Sequence, residues 1–167
     1  MKRLYSSLLI AATLTVAPFV NAADNQVAVF PVCYEISNNV PGAPVLRLDL
    51  LVNAPNSTIT GYAKVSQAIQ APPVESKLRG EYVVHTLFPN VSQIKFVIAT
   101  GYPNINWPSG LRRDIVIFPN LELNMVLHNG WQSGTASYSY THDGLPTNDS
   151  KWIYVTDIPA KSVPCFK

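Results

Sequence analysis

The sequence predicts an all-β fold, a single-domain antiparallel β-sandwich or a small closed β-barrel of about eight or nine strands. Three observations carry that expectation. Apolar and polar residues alternate with a period of two through most of the chain, as on strands with one buried face. Clusters of Pro, Gly, Asn and Asp break the alternation about every 10 to 18 residues, which is turn chemistry at hairpin spacing. Fourteen prolines spread along 167 residues leave little room for a long helix.

Residues 1–22 read as a secretory signal peptide and stand outside the fold. Lys2 and Arg3 supply the charged start, and Leu8 to Val20 the apolar stretch. Val20 and Ala22 then occupy −3 and −1 of a cleavage site before Ala23. The apolar run is shorter than the roughly 20 residues of a membrane anchor, so the mature chain has no expected integral membrane segment. Residues 23–167 form one domain, periplasmic or secreted after cleavage near Ala22.

Within that domain a first strand surrounds Cys33. Leu46, Leu48, Leu50 and Val52 then share one face, opposed by Arg47, Asp49 and Asn53. Ile59, Gly61, Ala63, Val65 and Ile69 form the next inward set, followed by Leu78, Tyr82 and Val84. Ile94, Phe96 and Ile98 are expected inward on the strand after that. Leu121, Leu123, Met125 and Leu127 alternate with Glu122, Asn124 and His128, and Ala136, Tyr138 and Tyr140 interleave with Ser and Thr. Turns are expected at residues 40–44, 55–57, Pro72-Pro73, Pro89-Asn90, Pro119-Asn120, Asn129-Gly130 and Asp143-Gly144. Eight strands would also suit a small outer-membrane barrel. In that case Arg47, Asp49, Lys64, Lys77, Arg79, Glu81 and Glu122 would need a lumen, and no aromatic girdle is evident on the other face.

Composition limits the function classes. Hydrophobic residues at 47% and charged residues at 13% exclude a disordered chain and a coiled coil. The leader holds two of the twelve basic residues and none of the ten acidic ones, so the mature chain is close to neutral. No electrostatic case for nucleic acid remains. Cys33 and Cys165 are the two cysteines, one near each end of the mature chain, and in an oxidising compartment they read as a disulfide.

Motifs for chemistry are scarce. The sequence has no Gly-rich phosphate loop, no His-Glu-x-x-His and no Gly-x-Ser-x-Gly. His85, His128 and His142 lie far apart and read as surface imidazoles, so neither a metal, a cofactor nor a catalytic set is expected. One segment leaves the alternating pattern: residues 101–113, read as a long connection with Tyr102, Trp107, Arg112 and Arg113. Tyr, Trp and Arg dominate contact energies, and apolar groups in a loop either fold back or meet a partner. Trp107 therefore has two readings, a plug at one end of the fold or part of a contact surface. Trp131 and Trp152 read as core or end-capping residues.

The order of several short motifs carries a resemblance. Pro41-Gly42-Ala43-Pro44, Gln67-Ala68, Gly101-Tyr102-Pro103, Trp107-Pro108, Asn120-Leu121 and Gly130-Trp131-Gln132-Ser133-Gly134-Thr135-Ala136 follow one another as in a family of small bacterial β proteins known only as a domain of unknown function. The similarity spans about Phe30 to Pro159. It implies one all-β bacterial domain and brings no catalytic residues. The resulting expectation is a non-enzymatic exported binding module, with a protein partner favoured over a small apolar ligand. The rival is a small secreted hydrolase with a site at a loop rim.

Overall fold

The computed structural model describes residues 29–68, 70–86, 93–105, 116–128, 130–143 and 146–165. They form eight antiparallel strands: β1 (Val29–Ile36), β2 (Val45–Asn53), β3 (Thr58–Gln67), β4 (Gln70–Thr86), β5 (Gln93–Pro103), β6 (Leu121–His128), β7 (Ser133–Tyr140) and β8 (Ile153–Ser162). Each strand pairs with the next, and β8 returns to β1, so the sheet closes into a barrel. Closure removes the free edges that a sandwich keeps.

Alternation on the strands sorts the side chains. Leu46, Leu48, Leu50 and Val52 on β2 face the interior, as do Ile59, Ala63 and Val65 on β3 and the Leu121 to Leu127 set on β6. Tyr34, Ile36, Leu78, Tyr82, Tyr138 and Tyr140 complete the packing. Eight strands give an interior just wide enough for side chains to fill, and here large residues fill it.

Strand β5 reverses the expected phase. Val97 and Ala99 are buried, and Lys95 points inward with them, while Phe96 is 42% and Ile98 64% exposed. Both alternate sets on β5 carry apolar residues, Val97 and Ala99 on one and Ile94, Phe96 and Ile98 on the other, so periodicity alone does not choose between them. Pairing does: Val97 stands opposite Tyr82 on β4 and Met125 on β6, and Gly101 opposite Leu78 and Leu121. With those neighbours filling the interior, the smaller set fits inside. Val84 keeps the inward phase of β4 but is exposed near the end of the strand.

Three further boundaries differ from the sequence expectation. Pro72 and Pro73 lie within β4, where a register irregularity between Val65 and Gln67 absorbs extra residues. Residues 101–103 belong to β5 and not to the following connection, since Pro103, Tyr102 and Gly101 pair with Ser76, Lys77 and Leu78. Strand β8 escaped the alternation because a bulge interrupts it. Ala136 pairs with Ile158 but Tyr138 with Val155, and Asp157 takes φ 55° while its amide donates to Ser137 Oγ at 3.1 Å.

The two rims are built differently. At one, the Trp131 ring lies edge-on to Phe30 and Tyr82, with centroids 5.9 and 4.9 Å away, and the Lys95 ammonium stands 5.6 Å from the indole. Tyr34 Oη donates to the Trp131 carbonyl at 2.7 Å. Trp131 thus caps this rim. At the opposite rim, Ser76 Oγ donates to Asn120 Oδ1 at 2.8 Å, and Asn120 Nδ2 donates to the Glu75 carbonyl at 3.3 Å. The Asn120 amide also donates to Gly101, and its carbonyl accepts from Thr141. One buried asparagine therefore ties β4, β5 and β7 together.

The barrel closes along a short seam, where Tyr34, Glu35 and Ile36 meet Ser162, Lys161 and Ala160. Beyond it the tail continues along β1. The Val163 amide donates to the Cys33 carbonyl at 2.9 Å, and Cys33 is bonded to Cys165 with Cα atoms 5.1 Å apart. The expected disulfide is present, and it fastens the tail across the junction of first and last strands.

Candidate functional site

Two grooves lie on the outer face of β2 to β5. Two glycines of the inward phase lie beneath it. A Cβ on Gly61 would collide with the Asp49 carbonyl of β2, and one on Gly80 with the Ile98 carbonyl of β5. Only a residue without a side chain lets the neighbouring strands approach so closely there. A groove of about 670 Å³ runs over Gly61, bordered by Pro31, Leu51, Tyr62 and the Cys33–Cys165 bridge. A second, of about 730 Å³, runs over Gly80, bordered by Glu81, Tyr102, Ile105 and Ile117. Lys77 and Arg79 line both grooves and form the ridge between them.

Register explains this ridge. Tyr62 on β3 and Tyr102 on β5 both stand opposite Lys77. Thr60 and Thr100 stand opposite Arg79 in the same way. Tyr62 is 58% and Tyr102 39% exposed. The result is a cation flanked by two phenol rings, next to a guanidinium flanked by two hydroxyls. Elsewhere on this side cations are paired: Arg47 Nε lies 3.6 Å from Asp49, and Lys64 Nζ 3.1 Å from Glu75. Among the described residues Lys77 and Arg79 have no such ion pair.

Of the contact residues expected from sequence, Tyr102 sits on this face. Trp107, Arg112 and Arg113 lie outside the described residues. Ile105 and Ile117, on either side of their segment in sequence, both border the second groove. Sequence reading placed Lys77 and Arg79 outward but gave them no role. The signal was the outward Lys-x-Arg pattern on one strand, and its meaning depends on register with strands whose turns were misplaced.

The histidines stay apart. His85 ends β4 with its ring 5.3 Å from Phe96, and His142 follows β7 with its ring 5.3 Å from Tyr140. At the Asn120 rim a smaller groove of about 380 Å³ includes Glu75, His142 and Asp143. Inside the barrel, burial raises the phenols of Tyr34, Tyr138 and Tyr140 above their ordinary value, Tyr138 being raised further by its neighbour Tyr140. These phenols are neutral core groups with nothing to recommend them as bases. Among the described residues no three His, Cys, Asp or Glu side chains gather as a metal would require.

Comparison with known proteins assigns the chain to a family but gives it no role. No curated protein matches the chain. Residues 27–145, which is most of the sequence, match the model of a protein family, and by that match the chain belongs to the family described as Domain of unknown function (DUF1842).

Proposed function

We propose that this protein is an exported, non-enzymatic binding module whose partner is a protein. Residues 1–22 act as a signal peptide, and residues 23–167 are the single bacterial domain released to the periplasm or the medium. The observation that carries the reading is the contrast between a barrel interior filled by large side chains and an outer face with two grooves and exposed tyrosines. A filled interior leaves the outside as the place for recognition. Tyr102 belongs to the contact surface on this reading, and Trp107, Arg112 and Arg113 are assigned to it from the sequence alone.

The outward charges support a water-facing barrel over a lipid-facing one. Arg47, Asp49, Lys64, Lys77, Arg79 and Glu81 stand along β2 to β4, and each charge would cost up to about 2–4 kcal/mol at mid-bilayer. A second reading, a small hydrolase, draws on the rim groove whose lining includes Glu75, His142 and Asp143. Against it, Glu75 is already engaged by Lys64 at 3.1 Å.

Terminal sequencing of the secreted protein tests export, with Ala23 as the expected first residue. Trp107→Ala tests the contact surface. Loss of partner capture with unchanged melting temperature is the expected result. A fall of about 3–5 kcal/mol in stability, with capture intact in the folded fraction, would make Trp107 a plug and end its role as a contact.

A further inference from the structure

We propose that the Lys77–Arg79 ridge receives an extended acidic segment of the protein partner, with alternate carboxylates of that segment meeting the two cations. The proposal rests on reading this face as the contact surface and adds the chemistry of what binds there. Lys77 and Arg79 are two residues apart on β4 and both point outward, exposed. Two residues along a strand span about 6.8 Å, which is also the spacing of alternate side chains on an extended peptide. A peptide lying along β4 therefore offers two same-face carboxylates to the two cations, with uncharged residues on either side of them, because Glu75 and Glu81 stand next on the same face.

The surroundings fit a peptide. Tyr62 and Tyr102 stand on either side of Lys77 and give apolar walls with a polar edge. Thr60 and Thr100 beside Arg79 supply hydroxyls within reach of a peptide backbone. The lysine meets a carboxylate as a point charge, and the arginine meets one as a planar fork. An acidic glycan shares the charge but displays hydroxyls on every edge. The flanking grooves answer those poorly, since Pro31 and Leu51 border one and Ile105 and Ile117 the other.

The test uses the purified protein and a fluorescent twelve-residue peptide with one central Glu-Thr-Glu among Ser and Thr, followed by anisotropy at low salt. The expected result is saturable binding that weakens with added salt and is absent for the same peptide with Gln in place of Glu. Lys77→Gln with Arg79→Gln should weaken it on the order of tenfold or more, while Lys64→Gln changes it little. Lys77→Glu with Arg79→Glu should transfer binding to the peptide with Lys in place of Glu, a gain that an unfolded variant would not show. Absence of binding, equal loss in Lys64→Gln, or an oligogalacturonate that displaces the peptide at lower concentration would each overturn the proposal. The Trp107→Ala capture experiment reports on the contact surface separately. If it holds while the peptide fails to bind, the surface stands and the acidic segment does not.

Discussion

Strands β4 and β5 are zipped along eleven register positions, whereas β1 and β8, which close the barrel, meet at three. The long ladder supports the grooved face, and the short one is held by other means: the Val163–Cys33 backbone bond and the Cys33–Cys165 bridge. The comparison separates two tasks. Where pairing is continuous, side chains on the outside are free to serve recognition. Where the chain ends meet, covalent chemistry substitutes for pairing.

The largest effect should come from breaking the weaker side. Cys33→Ser with Cys165→Ser removes a link between residues 132 apart in sequence, worth about 5 kcal/mol in the chain-entropy model. Denaturant unfolding of the oxidised protein and the variant measures it. A loss under about 1 kcal/mol would mean that the three-position seam holds alone.

Next come the two sides of the core. Leu48→Ala near the seam and Leu123→Ala on β6 should each cost about 2–5 kcal/mol, since both are fully buried. Outward Arg47→Ala and Asn124→Ala should stay within about 0.5 kcal/mol. Equal losses on both faces would show that the outside is also covered in solution.

Tyrosines sharpen the contrast further. Tyr34 Oη holds the Trp131 carbonyl, whereas Tyr138 Oη is buried without a partner among the described residues. Tyr34→Phe should cost about 1 kcal/mol, and Tyr138→Phe should be neutral or slightly stabilising. Both phenols have folded-state values raised above 10.0 by burial. The unfolded chain therefore loses these protons first as pH rises. Stability should be intact below pH 10.0 and decline progressively above it. Tyr138→Phe should soften that decline in an alkaline melt series.

Much of this was legible in the sequence because β2, β3, β6 and β7 alternate apolar with polar residues, and a period of two leaves one choice of face. Phe96 was misplaced because β5 carries apolar residues on both faces, so its phase is decided by neighbours distant in sequence. Strand β8 was hidden by the Asp157 bulge, which shifts the alternation midway. The disulfide followed from having two cysteines, one near each end of the domain, with an oxidising compartment expected. The Lys77–Arg79 ridge did not follow, because the partners Tyr62 and Tyr102 are brought beside it by pairing across two hairpins, and one of those hairpins turns four residues earlier than its prolines suggest.

The seam also sets an order of events. A chain delivered from its N-terminus presents β1 long before β8 exists, since Tyr34 and Ser162 are neighbours across almost the whole domain. The hairpins from β2 to β7 join strands adjacent in sequence, even across the longer connection from Pro103 to Leu121, so they come first, and the ring is completed last. In the interval the sheet has two bare edges, each able to recruit a second molecule. Both carry obstacles: Pro31 on β1, and on β8 the Asp157 bulge followed by Pro159. The same irregularities that concealed β8 from a reader of the sequence guard the unfinished barrel against its own copies.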